Sequence, residues 1–286
     1  MEMRGLIMAG TLITEFSESD VRFIVETVDP RLLARFDTIK GDAAIVEGIL
    51  DQEAGTLFQR LMVMKEEDVM TGVSPRLLFE VLLRRALTEL QTQSYTLERT
   101  ASQTIPVFDT RDVAQFLGTR TVLRYLADML SSFTRTESFV LPIRVRKGVW
   151  RRIRFSDMDI DSLVRLCEAV DEEHRFTYYK RIADVCLFIP GMFPEHVNPD
   201  PPYPTARDAR PQSFRRVSRS AGDYEEEGRR FYKLAAEHEN ASVLELEETL
   251  WQLHERFHLA KKPLNHISAN FLQFKRERLF TSPSAD

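Results

Sequence analysis

Residues 119–155 read TRTVLRYLADMLSSFTRTESFVLPIRVRKGVWRRIRF, and two different periodicities meet inside that stretch. Its first half sets Val122, Leu123, Leu126, Met129, Leu130 and Phe133 at the spacing of one helical face, with Thr119 in the cap position. From Phe139 the period drops to two. With Arg146-Lys147-Gly148 as the loop, Val145 faces Val149, Leu141 faces Ile153 and Phe139 faces Phe155 on one side. The other side then holds Arg144 opposite Trp150, Pro142 opposite Arg152 and Val140 opposite Arg154. A two-residue loop mixes apolar and charged groups on both faces. A single buried face therefore selects the three-residue loop, with Gly148 in the left-handed position. Pro142 lacks a backbone donor and assigns its strand to an edge.

Outward from this junction the pattern is helical in both directions. Ser17 or Ser19 caps a helix to about Val28, Pro30 starts a short one, and Gly41-Asp42 opens a longer one. The long helix carries the stripe Ile45, Ile49, Leu50, Leu57, Phe58 and Leu61. Ser74-Pro75 pairs a cap with proline at the first helical position and begins a helix to about Thr92. Asp109 caps a short helix that Gly118 ends. Beyond the hairpin, helices are expected from Ser156-Asp157, from about Glu172 to Ile189 where Pro190-Gly191 stops it, from Asp223 to about His238, from Ser242 to about Ala260 before Pro263, and from Asn265 to about Phe280. Residues 198–222 hold Pro199, Pro201, Pro202, Pro204 and Pro211 beside Arg207, Arg210, Arg215, Arg216 and Arg219, and read as a mobile loop. The expected fold is mainly α and multi-helical. One β-hairpin, 137–155, is inserted between an N-terminal helical lobe, 1–136, and a C-terminal one, 156–286, in one composite globular unit.

Composition narrows the function classes. The chain has 286 residues, 43% hydrophobic and 29% charged, with a formal net charge of −5. That is enough apolar material for a substantial core, and the net charge argues against a dedicated nucleic-acid binder. Cys167 and Cys186 both fall in apolar helical patterns and read as small buried hydrophobes of a reducing, cytoplasmic compartment. The apolar stretch Gly5 to Ile13 is followed by Glu15, Glu18 and Asp20 where a signal peptide has small residues. Ala183 to Phe193, the longest apolar run, falls short of the roughly 20 residues that span a bilayer. No membrane association is expected.

Three constellations bear on chemistry. His254-Glu255-Arg256-Phe257-His258 fits H-E-x-x-H, in which two imidazoles on one helical face bind zinc and the glutamate activates a water. No third ligand stands at a matching spacing, since His266 lies beyond Pro263. Lys261 and Lys262 add positive charge, so the histidines are expected to be structural and the protein to need no cofactor. Second, Arg144, Arg146, Lys147, Arg151, Arg152 and Arg154 crowd into 11 residues with Trp150 among them. Such a hairpin suits an acidic protein partner, or a phosphate backbone from which each cation releases a counterion. Third, Asp157, Asp159, Asp161 and Glu168 lack the glycine and spacing of a calcium loop and suit helix capping. Arg215-Arg216-Val217-Ser218 resembles a basophilic kinase site. No glycine-rich phosphate loop, G-x-S-x-G or Cys/His nucleophile pair is present.

Ala183-Asp184-Val185-Cys186-Leu187-Phe188, Pro190-Gly191-Met192-Phe193-Pro194-Glu195, Asp223-Tyr224 through Tyr232, and Phe257 through Ser268 follow one another in roughly the last third of the chain. From about Arg181 onward this part resembles a group of uncharacterised bacterial helical proteins. The resemblance implies that Phe193-Pro194-Glu195 and Lys262-Pro263-Leu264-Asn265 are recurrent structural turns and favours a bacterial source. It brings no activity, cofactor or catalytic residue.

The resulting expectation is a non-enzymatic interaction or regulatory protein. It would bind an acidic protein partner through Arg144, Arg146, Lys147, Trp150, Arg152 and Arg154 of the hairpin and Arg215 and Arg216 of the loop. One alternative is a winged-helix-like nucleic-acid binder, with short helices 112–117 and 120–133 aiming Arg120 and Arg124 at a groove. Another is a zinc-dependent hydrolase built on His254 and His258 with Glu255 as base.

Overall fold

The computed structural model describes residues 16–99, 104–135, 138–146, 149–197, 219–272 and 276–280. The fold is mainly α-helical, and no helix among these residues is long and apolar enough to cross a membrane. The chain forms two compact units. One runs to Gln93, resumes over Ala114–Thr136 and takes the chain again from Asn270; the other holds Ser94–Val113 and Glu137–Ala269.

In the first unit, Ser17 caps α1 (Glu18–Val28). Its hydroxyl accepts from the Asp20 amide, while the Asp20 carboxylate accepts from the Ser17 amide. The other oxygen of the buried Asp20 accepts from the Ser74 amide at 2.8 Å, tying the start of α1 to the residue that caps a later helix. A 3-10 turn (Pro30–Arg35) leads into α2 (Phe36–Lys40), and Asp42 caps α3 (Ala43–Val63). The inward stripe of α3 is Val46, Leu50, Ala54, Leu57 and Leu61. Ile45, expected inside, is 38% exposed. Glu53 departs from helical geometry (φ −112°, ψ 15°), so a single stripe read over the whole segment does not stay in phase.

After α4 (Glu66–Gly72), which the sequence pattern left unassigned, Ser74 caps α5 (Pro75–Thr92). Leu77, Leu78, Phe79, Val81, Leu82, Leu83, Ala86 and Leu90 of α5 are all buried, so this helix is covered on several sides. After α6 (Thr110–Leu117), α7 (Arg120–Ser132) packs on α5, as does a last short helix (Arg276–Phe280) whose Phe280 stacks on Phe79 at 5.7 Å. The expected stripe of α7 is buried throughout, each large apolar side chain contributing about 1.5–3 kcal/mol. Thr119 occupies the cap position of α7 without a side-chain capping bond.

The second unit contains the expected hairpin and a further one. Strands β1 (Thr96–Arg99) and β2 (Thr104–Val107) pair antiparallel, a region the sequence pattern left unassigned. Strands β3 (Ser138–Arg146) and β4 (Val149–Ser156) pair in the expected register: Phe139 with Phe155, Leu141 with Ile153, Val140 with Arg154, Pro142 with Arg152, Arg144 with Trp150. At the loop end the expectation needs correction. Arg146, not Val145, pairs with Val149, because the register shifts between Arg144 and Arg146; a bulge there adds one residue to the strand.

The helices that follow are α8 (Ile160–Ala169), α9 (Phe176–Met192), α10 (Ala221–Ala236), α11 (Glu239–Val243), α12 (Glu247–Glu255) and α13 (Phe257–Asn270). Asp159, rather than Ser156-Asp157, opens α8, and the expected helix Ser242–Ala260 is three separate pieces. Pro190-Gly191 does not stop α9, and Pro263 lies inside α13 instead of ending a helix. The reason lies in what meets them. Asn265 Nδ2 donates to the carbonyls of Pro190 (2.8 Å) and Gly191 (2.7 Å), and Ser268 Oγ donates to that of Met192 (2.7 Å). Helix α13 thus satisfies the terminal carbonyls of α9, at the end of the helix two residues beyond Pro190. That approach requires glycine at 191, where a Cβ would sit 2.7 Å from Leu264 Cδ1. Gly228 of α10 plays the same part. A Cβ there would lie 2.4 Å from a ring carbon of Phe257 and 2.9 Å from Cys186 Cβ.

Candidate interaction surface

The basic hairpin β3–β4 is rooted at Asp157, the residue after β4. Arg181 of α9 donates from Nη2 to Asp157 Oδ2 at 2.6 Å and from Nε to the Asp157 carbonyl at 3.2 Å. Both side chains are under 10% exposed. Burial pulls the Arg181 guanidinium below its ordinary value, and the charges of Asp157 and Asp184 pull it back. The neighbouring Lys180 donates to Asp184 Oδ2 at 2.7 Å, and the buried Tyr232 hydroxyl donates to Asp184 Oδ1 at 2.9 Å. A charge removed from water is costly unless paired and hydrogen-bonded, so this buried polar layer has little freedom to rearrange. It fixes the base of the hairpin on α9.

Along the hairpin, the pairs Arg154–Val140, Arg152–Pro142 and Arg144–Trp150 alternate with the pairs Phe155–Phe139 and Ile153–Leu141. Arg144, Arg152, Arg154 and Trp150 thus occupy one set of alternate register positions, and Phe139, Phe155, Leu141 and Ile153 the other. Arg146 lies past the bulge, opposite Val149. Lys147, Arg215 and Arg216 lie outside the described residues, as do most of loop 198–222, the first 13 residues and the Ser218 kinase-site pattern. Arg219, at the loop's exit, is held by Asp161 Oδ1 (2.5 Å) and Glu227 Oε2 (3.0 Å). The alternating aspartates therefore have separate structural partners: Asp157 holds Arg181, Asp159 stands at the start of α8 and accepts from Ser162, and Asp161 holds Arg219.

Hairpin β1–β2 adds surface residues that the sequence analysis missed. Its inner side is pinned by Lys262 of α13, which pairs with Asp109 and donates to Thr96 Oγ1 at 3.3 Å, while Thr96 Oγ1 donates to Asp109 Oδ1 at 2.7 Å. On the outer side Tyr95 and Phe108 meet edge to face at 6.1 Å, and Leu97 stands opposite Pro106. Phe108 is 79% exposed and Leu97 56%. The signal in the sequence was the alternation Tyr95, Leu97 and Ile105, Val107, in runs too short to distinguish from loop.

The H-E-x-x-H residues do not share a continuous helix. Helix α12 ends at Glu255 and α13 starts at Phe257, with Arg256 out of helical geometry between them (φ −118°, ψ 35°). His254 Nδ1 donates to the Arg229 carbonyl at 2.8 Å, and Arg229 Nε donates back to the His254 carbonyl at 3.0 Å. The His254 ring also meets Trp251 at 5.5 Å. Glu255 and His258 are exposed, and Lys262 is the buried partner of Asp109. Among the described residues, no group of three or more His, Cys, Asp or Glu side chains could hold a metal ion.

Arg120 and Arg124 of α7, expected to aim at a groove, instead pair with α3: Arg120 with Asp51 at 2.8 Å and Arg124 with Glu47, whose Nε–O distance is 3.0 Å. No protein-family model, curated protein or solved structure matches the chain.

Proposed function

We propose that this chain is a non-enzymatic interaction protein of regulatory role, cytoplasmic and bacterial, that binds an acidic protein partner. Contact runs through Arg144, Arg146, Lys147, Trp150, Arg152 and Arg154 of the hairpin sequence, with Arg215 and Arg216 of the 198–222 segment. The observation that carries this reading is the strand register, in which Arg144, Arg152 and Arg154 fall in successive pairs of one row with Trp150. Support also comes from the Arg181–Asp157 root, since a preorganised cationic surface loses less entropy on binding than a floppy one. The exposed outer side of β1–β2 adds the apolar component that protein interfaces carry. The pairing of Arg120 and Arg124 with Asp51 and Glu47 weighs against the winged-helix alternative, whose groove-reading helix needs those guanidiniums free.

The test is affinity capture with the wild-type chain and with Arg144→Glu/Arg152→Glu/Arg154→Glu. Charge reversal is expected to release the captured partner while the helical circular-dichroism spectrum stays unchanged. Retention of every partner by the variant overturns the reading. Salt-sensitive binding of duplex DNA, lost in the same variant, would transfer the surface to nucleic acid.

A further inference from the structure

The first unit holds a set of charges that the proposed function does not use. Arg76, Glu80 and Arg84 lie one turn apart on α5, Glu47 and Asp51 one turn apart on α3, and Arg120, Arg124 and Asp128 one turn apart on α7. Because α5 is buried, its charged stripe has to find partners inside the unit. Arg76 Nε donates to Asp128 Oδ1 at 2.6 Å. Arg84 Nη2 donates to Glu47 Oε2 and to Glu80 Oε1, each at 2.9 Å, and Arg84 also pairs with Asp51. Arg124 and Arg120 close the set on Glu47 and Asp51. Four arginines face four carboxylates, so the set is neutral when all are ionised.

Glu80 differs from the other three carboxylates. It is fully buried, at 0% exposure, and its Oε2 has no hydrogen bond, standing 3.7 Å from Arg76 Nη2. It is also the carboxylate that the arginines need least. Arg76 keeps Asp128 without it, and Arg84 keeps Glu47 and Asp51. An uncharged Glu80 therefore leaves no arginine unpaired, and Oε2 offers a place for the proton.

We infer that Glu80 is a proton-binding switch: proton uptake at Oε2 releases Arg84 and Arg76 from Glu80 within α5 and leaves them on the ties they already hold to other helices, Arg84 on Glu47 and Asp51 of α3 and Arg76 on Asp128 of α7. Burial pushes the Glu80 carboxyl up from its ordinary value, Glu47 adding to that push and Arg84 and Arg76 opposing it. The native state then binds a proton more tightly than the unfolded chain. Stability from this group is present at low pH and is lost as pH rises through the native value.

The experiment is a carbon-13 NMR titration of the full-length protein with labelled glutamate carboxyls, paired with melting curves at several pH values for the wild type and Glu80→Gln. The expected spectrum has one glutamate carboxyl titrating above the ordinary range near 4.5, missing from Glu80→Gln. That variant is expected to melt above the wild type at alkaline pH, with the gap closing on acidification. If every wild-type glutamate titrates at or below the ordinary range, the inference fails whether or not the variant folds. It fails equally if Glu80→Gln melts below the wild type by the same amount at every pH.

Discussion

Replacing Gly228 by alanine sets two effects of known size against each other. In a helix interior, Gly→Ala gains about 0.5–1 kcal/mol from propensity and from a less flexible unfolded chain. At Gly228 the added methyl would lie 2.4 and 2.8 Å from two ring carbons of Phe257 and 2.9 Å from Cys186 Cβ. Contacts under 3 Å require something to move. Cys186 Cβ is fixed to the α9 backbone, and Phe257 is 1% exposed with nowhere to swing. Overpacking of this kind costs about 1–3 kcal/mol, so the clash wins and Gly228→Ala destabilises. Gly48 and Gly55 are helical too, yet a Cβ at either meets nothing within 4 Å. Gly48→Ala should therefore stabilise by about 0.5–1 kcal/mol. Chemical denaturation of both variants, followed by circular dichroism and by tryptophan fluorescence, reads the two signs. Thermal midpoints should move in opposite directions, by roughly 2–4 °C per kcal/mol for units of this size. A Gly228→Ala protein as stable as Gly48→Ala would refute the close approach of α9, α10 and α13.

Other perturbations test other parts. Asp157→Asn removes the carboxylate that pairs directly with the buried Arg181, leaving only the Asp184 charge nearby; breaking a buried pair costs about 3–5 kcal/mol, and denaturant melts should show a loss towards the lower end of that range, with Asp157→Leu/Arg181→Met recovering part of it. Burial raises the Cys167 thiol and raises Cys186 well above its ordinary value of 9.0, so the thiolate fraction at mildly alkaline pH is small. A thiol reagent should leave both cysteines unmodified in native protein and modify both after unfolding; fast native labelling would contradict their burial. Tag-free protein should carry no stoichiometric zinc by elemental analysis. Near-stoichiometric zinc that disappears in His254→Ala/His258→Ala would reinstate the hydrolase reading.

Where a local rule acts alone, the sequence was legible. Ser17, Asp42 and Ser74 cap helices because a hydroxyl or carboxylate one position before an apolar run satisfies free amides whatever surrounds it. The β3–β4 register followed from the need to keep apolar and charged residues on opposite sides, and only the bulge at its tip escaped. Legibility ended where a distant element overrides the local signal. Pro190, Gly191 and Pro263 look like punctuation, yet they lie inside α9 and α13, and the carbonyls of Pro190, Gly191 and Met192 find their donors in Asn265 and Ser268, more than 70 residues away. Reading H-E-x-x-H as one helical face failed for a related reason, since Arg256 breaks the helix with neither glycine nor proline to announce it. The charge ladder of α3, α5 and α7 was visible as spacing along each helix, but spacing does not say which helices meet. The outer residues of β1–β2 belong to strands of four residues, too short for alternation to stand out.

Trp150 provides the most direct reporter on the proposed surface, because the chain has only two tryptophans and Trp251→Phe leaves it alone. In that background, fluorescence of Trp150 would be titrated with polyglutamate and, separately, with duplex DNA at increasing salt. The account predicts saturable quenching or a spectral shift with polyglutamate, weakened by salt and abolished by Arg144→Glu/Arg152→Glu/Arg154→Glu. An unchanged spectrum with polyglutamate at low salt, or an equal response from the charge-reversed protein, would contradict recognition of an acidic partner by this hairpin.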